Sequence, residues 1–405
     1  MTRLLIDVSP LEERIATVRD DAVVRLHHRH PRRADPRLGD LYRAKAETRA
    51  PHLGGTFLSL GDAQGFLPDR KGARPPRVGE TLLVGVRREG IGGKAAQLVA
   101  PPSLRLPAAT VRLGEASEAK PGPLPGDDET AARALTLARE AETGGPPGRL
   151  DLVPPLLPFV TGALTRDVEA VAVTDADAAA RLRGWLEPLG VEVGLYDALT
   201  VRAVIDEAEE GALARSVPLP NGGRLVIDEA EAITAIDLDT GRTEGRSQKG
   251  SGERALVDAL GALEAEAALR SLGGQIVLDI PRRALTSPKL LRDKLSRTFA
   301  HQGRPSVPAV TPEGLCVVVA PRPVPSLLER LTMTAGEGVR PARVLRPDIR
   351  AARAWRQAEA ALVADRTARV SIACDENARA YLDEPALAPL RARYGERIEV
   401  ANAEP

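Results

Sequence analysis

Two aspartates stand at the ends of two short apolar runs: Ala235-Ile236-Asp237 and Ile276-Val277-Leu278-Asp279. They lie 279 − 237 = 42 residues apart, yet could emerge side by side at one sheet edge. Two carboxylates converging there suit a hard cation such as magnesium, which takes oxygen ligands and keeps several waters. A water acidified by that metal is a nucleophile for a phosphodiester. Asp239 is a third candidate ligand. By spacing alone, the same aspartates also suit helix N-caps or turn residues.

The elements that must position them run from Asn221 to Ile280. The stretch opens NGGRLVIDEAEAITAIDLDTGR and closes LGGQIVLDIP. Branched apolar runs bounded by Gly-Gly read as buried strands. Between them, Glu253 to Ser271 places Leu256, Leu260, Leu263 and Leu269 at helical spacing. Strand, helix, strand implies neighbouring parallel strands by the crossover rule.

The wording of the stretch resembles the signature of the ribonuclease E/G family, "IDxTEALTxIDxNxxR" followed by "LGGxIVIDFIDM". Glu231-Ala232-Ile233-Thr234, Ala235-Ile236-Asp237 and Arg242 fall on the first motif. Leu272-Gly273-Gly274, Ile276-Val277 and Asp279 fall on the second. The resemblance implies a magnesium-dependent endoribonuclease that cuts single-stranded RNA, with Asp237 and Asp279 holding the metal and manganese as the alternative ion. Two positions depart from the family. Asp239 replaces its Asn, and Arg282 stands where a second aspartate is expected. An RNA-binding paralogue without nuclease activity is the alternative reading.

Composition sets the frame. A chain of 405 residues can bury a sizeable core in more than one domain. Lys+Arg and Asp+Glu are both 56, so a nucleic-acid partner cannot be argued from net charge and any basic footprint must be local. The cations are mostly arginine, which suits phosphate forks and equally a GC-rich genome. Cys316 and Cys374 are the only cysteines, too few for a disulfide framework or a thiolate metal site. No signal-peptide core opens the chain, and no run approaches the ~18 apolar residues of a membrane span. A soluble, cytoplasmic protein is the expectation.

The expected fold is mixed α/β and multidomain. Residues 1–34 read as a strand and a hairpin turning near Asp20-Asp21, and EERIATVRDDAVVRLHH also resembles the family's opening. His27, His28 and His30 read as a solvated strand face. Residues 35–100 have the cadence of a small oligonucleotide-binding barrel. Phe57 and Phe66 fall in it, as core rings or as stacking platforms for bases. The family's S1 domain lies here, and its RNA-contacting positions match Phe57, Phe66 and Lys94.

Residues 101–155 read as linker with one helix, in place of the family's 5′-sensor domain. The resemblance makes 1–34 and 156–216 one ribonuclease-H-like subdomain and 217–330 a DNase-I-like catalytic subdomain. Arg304 matches an arginine of the family's 5′-phosphate pocket. Residues 331–344 are a linker in which TMTAGEG replaces the family's zinc-binding Cys-Pro-x-Cys, so no zinc and no zinc-linked assembly are expected. A homodimer stays open. Residues 345–405 resemble the family's small C-terminal domain.

Overall fold

The computed structural model describes residues 1–114, 119–220, 222–239, 251–281, 287–336, 342–365 and 367–402. The chain opens with β1 (Thr2–Val8), β2 (Glu13–Arg19) and β3 (Ala22–Arg29). β2 and β3 are joined through Asp20 and Asp21, both at positive φ, the conformation a two-residue hairpin needs and Asp tolerates. A barrel follows, made of β4 (Leu41–Ala50), β5 (Gly55–Ser59), β6 (Gln64–Pro68), β7 (Thr81–Arg88) and β8 (Ala96–Val99). It closes because β7 pairs with both β8 and β4. Leu58, Val84 and Leu98 fill its centre.

Residues 101–155 hold more order than a linker. β9 (Ser103–Arg105), β10 (Ala109–Arg112) and β11 (Ala119–Pro121) form a small antiparallel sheet. On it α1 (Asp128–Glu142) buries Ala134, Ala138 and Ala141. β12 (Gly148–Arg149) then pairs with β4. Strands of three or four residues beside prolines carry too short a pattern to reveal themselves, and a helix that buries alanines shows little periodicity.

Next come α2 (Leu156–Ala163), β13 (Val168–Val173), α3 (Ala176–Leu186), β14 (Glu192–Leu195) and α4 (Ala198–Leu213). β13 and β14 run parallel to β1 and complete a mixed sheet ordered β14-β13-β1-β2-β3. α2, α3 and the small β9–β11 sheet cover one face, while α4 covers the other.

A second sheet comprises β15 (Ser216–Pro218), β16 (Arg224–Glu229), β17 (Thr234–Asp239), β18 (Gly274–Asp279), β19 (Ser306–Val310) and β20 (Leu315–Ala320), ordered β15-β16-β17-β18-β20-β19. α5 (Ser251–Leu269) and α6 (Pro288–Thr298) pack on one of its faces. The chain ends with α7 (Leu327–Leu331), the hairpin β21 (Thr332–Ala335) and β22 (Ala342–Leu345), α8 (Pro347–Ala364), β23 (Val370–Cys374), α9 (Glu376–Arg379), α10 (Glu384–Tyr394) and β24 (Ile398–Asn402). No described helix is long and apolar enough to cross a membrane.

A buried ionic network ties the first sheet to α4 and α8. Arg14, fully buried, donates to Asp7 at 2.8 Å and Glu209 at 2.7 Å. Arg202 bridges Asp7 at 2.8 Å and Glu359 at 2.6 Å, and Arg356 meets Glu12. Burial alone would raise the Asp7 carboxyl; Arg14, Arg202 and Arg356 outweigh it and hold it below the ordinary carboxylate range.

The histidines of β3 and of the residue just after it are not a solvated face. His28 and His30 are buried, His28 beside Glu12 at 3.2 Å and His30 near Asp348 at 3.7 Å. Glu209 on α4 and Asp348 on α8 supply carboxylates that no local pattern around β3 could announce.

Candidate active site and nucleic-acid interface

β17 alternates buried Thr234, Ile236 and Leu238 with exposed Ala235, Asp237 and Asp239. The buried set joins Leu256, Leu260 and Leu263 of α5, which fixes the orientation of the whole strand. β18 does the same with Ile276 and Leu278 inward and Asp279 outward. The two strands are parallel neighbours, and Asp237 and Asp279 are register partners. Neighbouring strands lie about 4.8 Å apart, so both carboxylates leave the same exposed face side by side. Among the described residues neither forms an ion pair.

Asp239, on the same face of β17, lies 3.8 Å from Arg224 of β16. No group of three or more metal-ligating side chains converges among the described residues. A pair of adjacent carboxylates still fits magnesium, which commonly binds one or two carboxylates and completes its shell with water and substrate phosphate. Cys316 points to the buried face, and burial, with Asp279 close by, pushes its thiol up to about 11.

Gly314 is a residue that sequence reasoning missed. It has φ +107° and its carbonyl accepts from the Ile280 amide at 3.0 Å. A Cβ there would collide with the Ile280 carbonyl and lie 3.8 Å from Asp279 Oδ1. The β19–β20 turn can thus close on the end of β18 only with glycine at this point. The Pro-Glu-Gly ahead of the apolar run of β20 was the available signal.

On the barrel, Phe57 of β5 and Phe66 of β6 are cross-strand partners with ring centroids 5.1 Å apart. Both are half-buried and neither belongs to the barrel's apolar cluster. A Cβ on Gly55 would strike the Phe66 ring, so this glycine lets the ring lie against the sheet. Lys94 is exposed on the β7–β8 loop, where Gly92 and Gly93 both take positive φ. Arg304 is exposed just ahead of β19. The barrel thus offers a ring pair and a cation, and the second sheet a carboxylate pair. Arg242 and Arg282 lie outside the described residues.

Residues 153–315 match the ribonuclease E/G family, a segment that contains both aspartate strands. The chain is 32% identical over 106 residues to Ribonuclease E of Buchnera aphidicola subsp. Schizaphis graminum (strain Sg), covering 26% of the chain and 10% of that protein. It is 39% identical over 90 residues to the chloroplastic Ribonuclease E/G-like protein of Arabidopsis thaliana, covering 22% and 9%. It is 40% identical over 76 residues to Ribonuclease E of Escherichia coli (strain K12), covering 18% and 7%. The chain thus spans about a tenth or less of the length of each of these relatives.

Proposed function

In its central segment the chain belongs to the ribonuclease E/G family, and on that premise we propose that it is a magnesium-dependent endoribonuclease that cuts single-stranded RNA. The observation that carries this reading is the register pairing of Asp237 with Asp279 on an exposed sheet face. These two side chains would hold the cation, with manganese as a substitute and Asp239 as an added outer carboxylate. When bound, the ion supplies Lewis acidity to the phosphodiester and to a water. The protein's own part is to fix the carboxylates through α5 and Gly314, and to orient the strand. Phe57 and Phe66 would stack bases, and Lys94 and Arg304 would neutralise phosphates. In the same reading the first sheet is a ribonuclease-H-like support, the second a DNase-I-like catalytic unit and the barrel an S1 domain. RNA processing or decay in the cytoplasm is the setting this activity fits.

One observation favours a second reading, RNA binding without cleavage. Asp239 replaces the family's Asn and is engaged by Arg224, which alters the charge around the pair. Incubating labelled single-stranded RNA with the protein, with and without magnesium, separates the two readings on a gel. Fragments that appear only with magnesium are expected. RNA that is bound and stays intact would support the second reading instead.

A further inference from the structure

The chain is neutral overall, yet one cleft concentrates cations. A cavity of about 450 Å³ is bounded by β3, α2, the end of β7 and the last turn of α5. Arg25, Arg29, Arg37, Arg87, Arg105 and Arg330 line it. Against these six, its described carboxylates are Asp40 and Glu89. A second cavity of about 690 Å³ shares Arg29, Arg37, Glu89 and Arg330 with the first. It adds Lys94 with its glycine loop, Arg33 and Arg346, and also the carboxylates of Glu12, Asp35, Asp62 and Glu329, so the excess of cations lies in the first cavity. Their common walls make one cleft that runs from the barrel's lip to the end of α5.

Much of this charge is not spent on carboxylates. Arg29 meets Glu13, and Arg330 is 3.4 Å from Glu89. Arg25 and Arg37 instead donate to the backbone carbonyls of His301 and His30. Among the described residues, Arg87 and Arg105 form no ion pair and stay exposed. The cations also crowd one another. Burial, with Arg29 alongside, pushes Arg37 down to about 10, so a bound anion would relieve repulsion as well as gain attraction.

We propose that this cleft is a phosphate-binding site that holds the backbone of the RNA strand away from the point of cleavage. The inference rests on the RNA-cleaving reading above and extends it. Arginine forks match phosphate oxygens in pairs, and arginines spread along an open cleft suit successive phosphates better than one compact ligand. Ser271 lines the cleft just ahead of β18, and Asp279 ends that strand. At about 3.3 Å per residue β18 alone spans roughly 17 Å, and Ser271 lies three residues ahead of its start, so cleft and carboxylates stand several nucleotides apart. Lys94 at the lip links the cleft to the ring pair on the barrel. Rings would thus hold bases, and the cleft phosphates, of a single strand.

The test is Arg87→Ala with Arg105→Ala in the full chain, read by fluorescence anisotropy with a labelled single-stranded RNA of about 15 nucleotides. RNA affinity is expected to fall roughly tenfold at low salt, and the log–log salt slope to become shallower by about 1.4, with thermal unfolding unchanged. The Arg→Lys pair should recover part of the affinity by keeping charge without the fork. An unchanged affinity and slope would overturn the proposal. Phe57→Ala with Phe66→Ala, run alongside, keeps the two levels apart. Weakening by the ring variant alone sinks the cleft and leaves the RNA reading standing, whereas wild-type protein that binds no RNA sinks both. Adenosine 5′-monophosphate that competes as tightly as RNA would contradict a backbone site.

Discussion

Asp7 and Asp237 are both strand aspartates in mixed sheets, and their surroundings are opposite. Asp7 is 1% exposed and held by Arg14 and Arg202, so both carboxylate oxygens are already engaged. Asp237 and its register partner Asp279 face outward without an ion pair among the described residues. The difference arises from what covers each sheet. The first is packed on both faces, so a charge there must be paired to survive burial. The second carries α5 and α6 on one face, and among the described residues Asp237 and Asp279 lie exposed on the other. A charge fixed by its own protein stabilises a fold, and a charge left to solvent can do chemistry.

The largest expected effect lies on the structural side. Arg14→Ala takes one of Asp7's two arginines and the 2.7 Å partner of Glu209 out of a buried network, and should cost about 3–5 kcal/mol in urea unfolding. A loss below about 1 kcal/mol would show that the network holds little. Next comes the barrel. Phe57→Ala with Phe66→Ala should weaken single-stranded RNA binding by roughly 1–3 kcal/mol per stacked base, with little change in melting temperature. A protein that instead loses its stability would mark the rings as core.

The smallest effect is on pH. Asp7 and Glu12 have lowered carboxyl pKa values in the fold: burial opposes this, but Arg14 and Arg202 outweigh it for Asp7 and Arg356 for Glu12. Their contribution is therefore present above the ordinary carboxylate range, about pH 4, and is lost as the pH falls below it. Wild-type melting temperature should drop more steeply below pH 4 than that of Arg14→Ala. Parallel curves would separate acid sensitivity from this network.

Much of the carboxylate unit was legible because its signals are local. Ile236 and Leu238 alternate with the aspartates, the leucines of α5 recur at helical spacing, and a crossover of that length makes the strands parallel. The hairpin at Asp20-Asp21 and the glycine cadence of the barrel were readable for the same reason. Residues 101–155 were not, because Ala134, Ala138 and Ala141 bury without an apolar stripe and their sheet has strands of three or four residues. Nor was the burial of His28 and His30, whose carboxylate partners include Glu209 and Asp348 from distant helices. The arginine cleft is of this second kind. Its cations come from β3, the barrel, β9 and α7, and only the fold brings them together.

The exposed pair Asp237 and Asp279, and not the buried Asp7, is the proposed seat of the chemistry. The most direct test is cleavage of labelled single-stranded RNA in magnesium by wild type, Asp237→Asn and Asp279→Asn, with melting temperatures measured on the same preparations. Each variant should lose on the order of 10²-fold or more in rate while keeping the wild-type melting temperature and most of its RNA affinity. Wild-type cleavage rates in both variants would contradict the assignment of the metal to this pair.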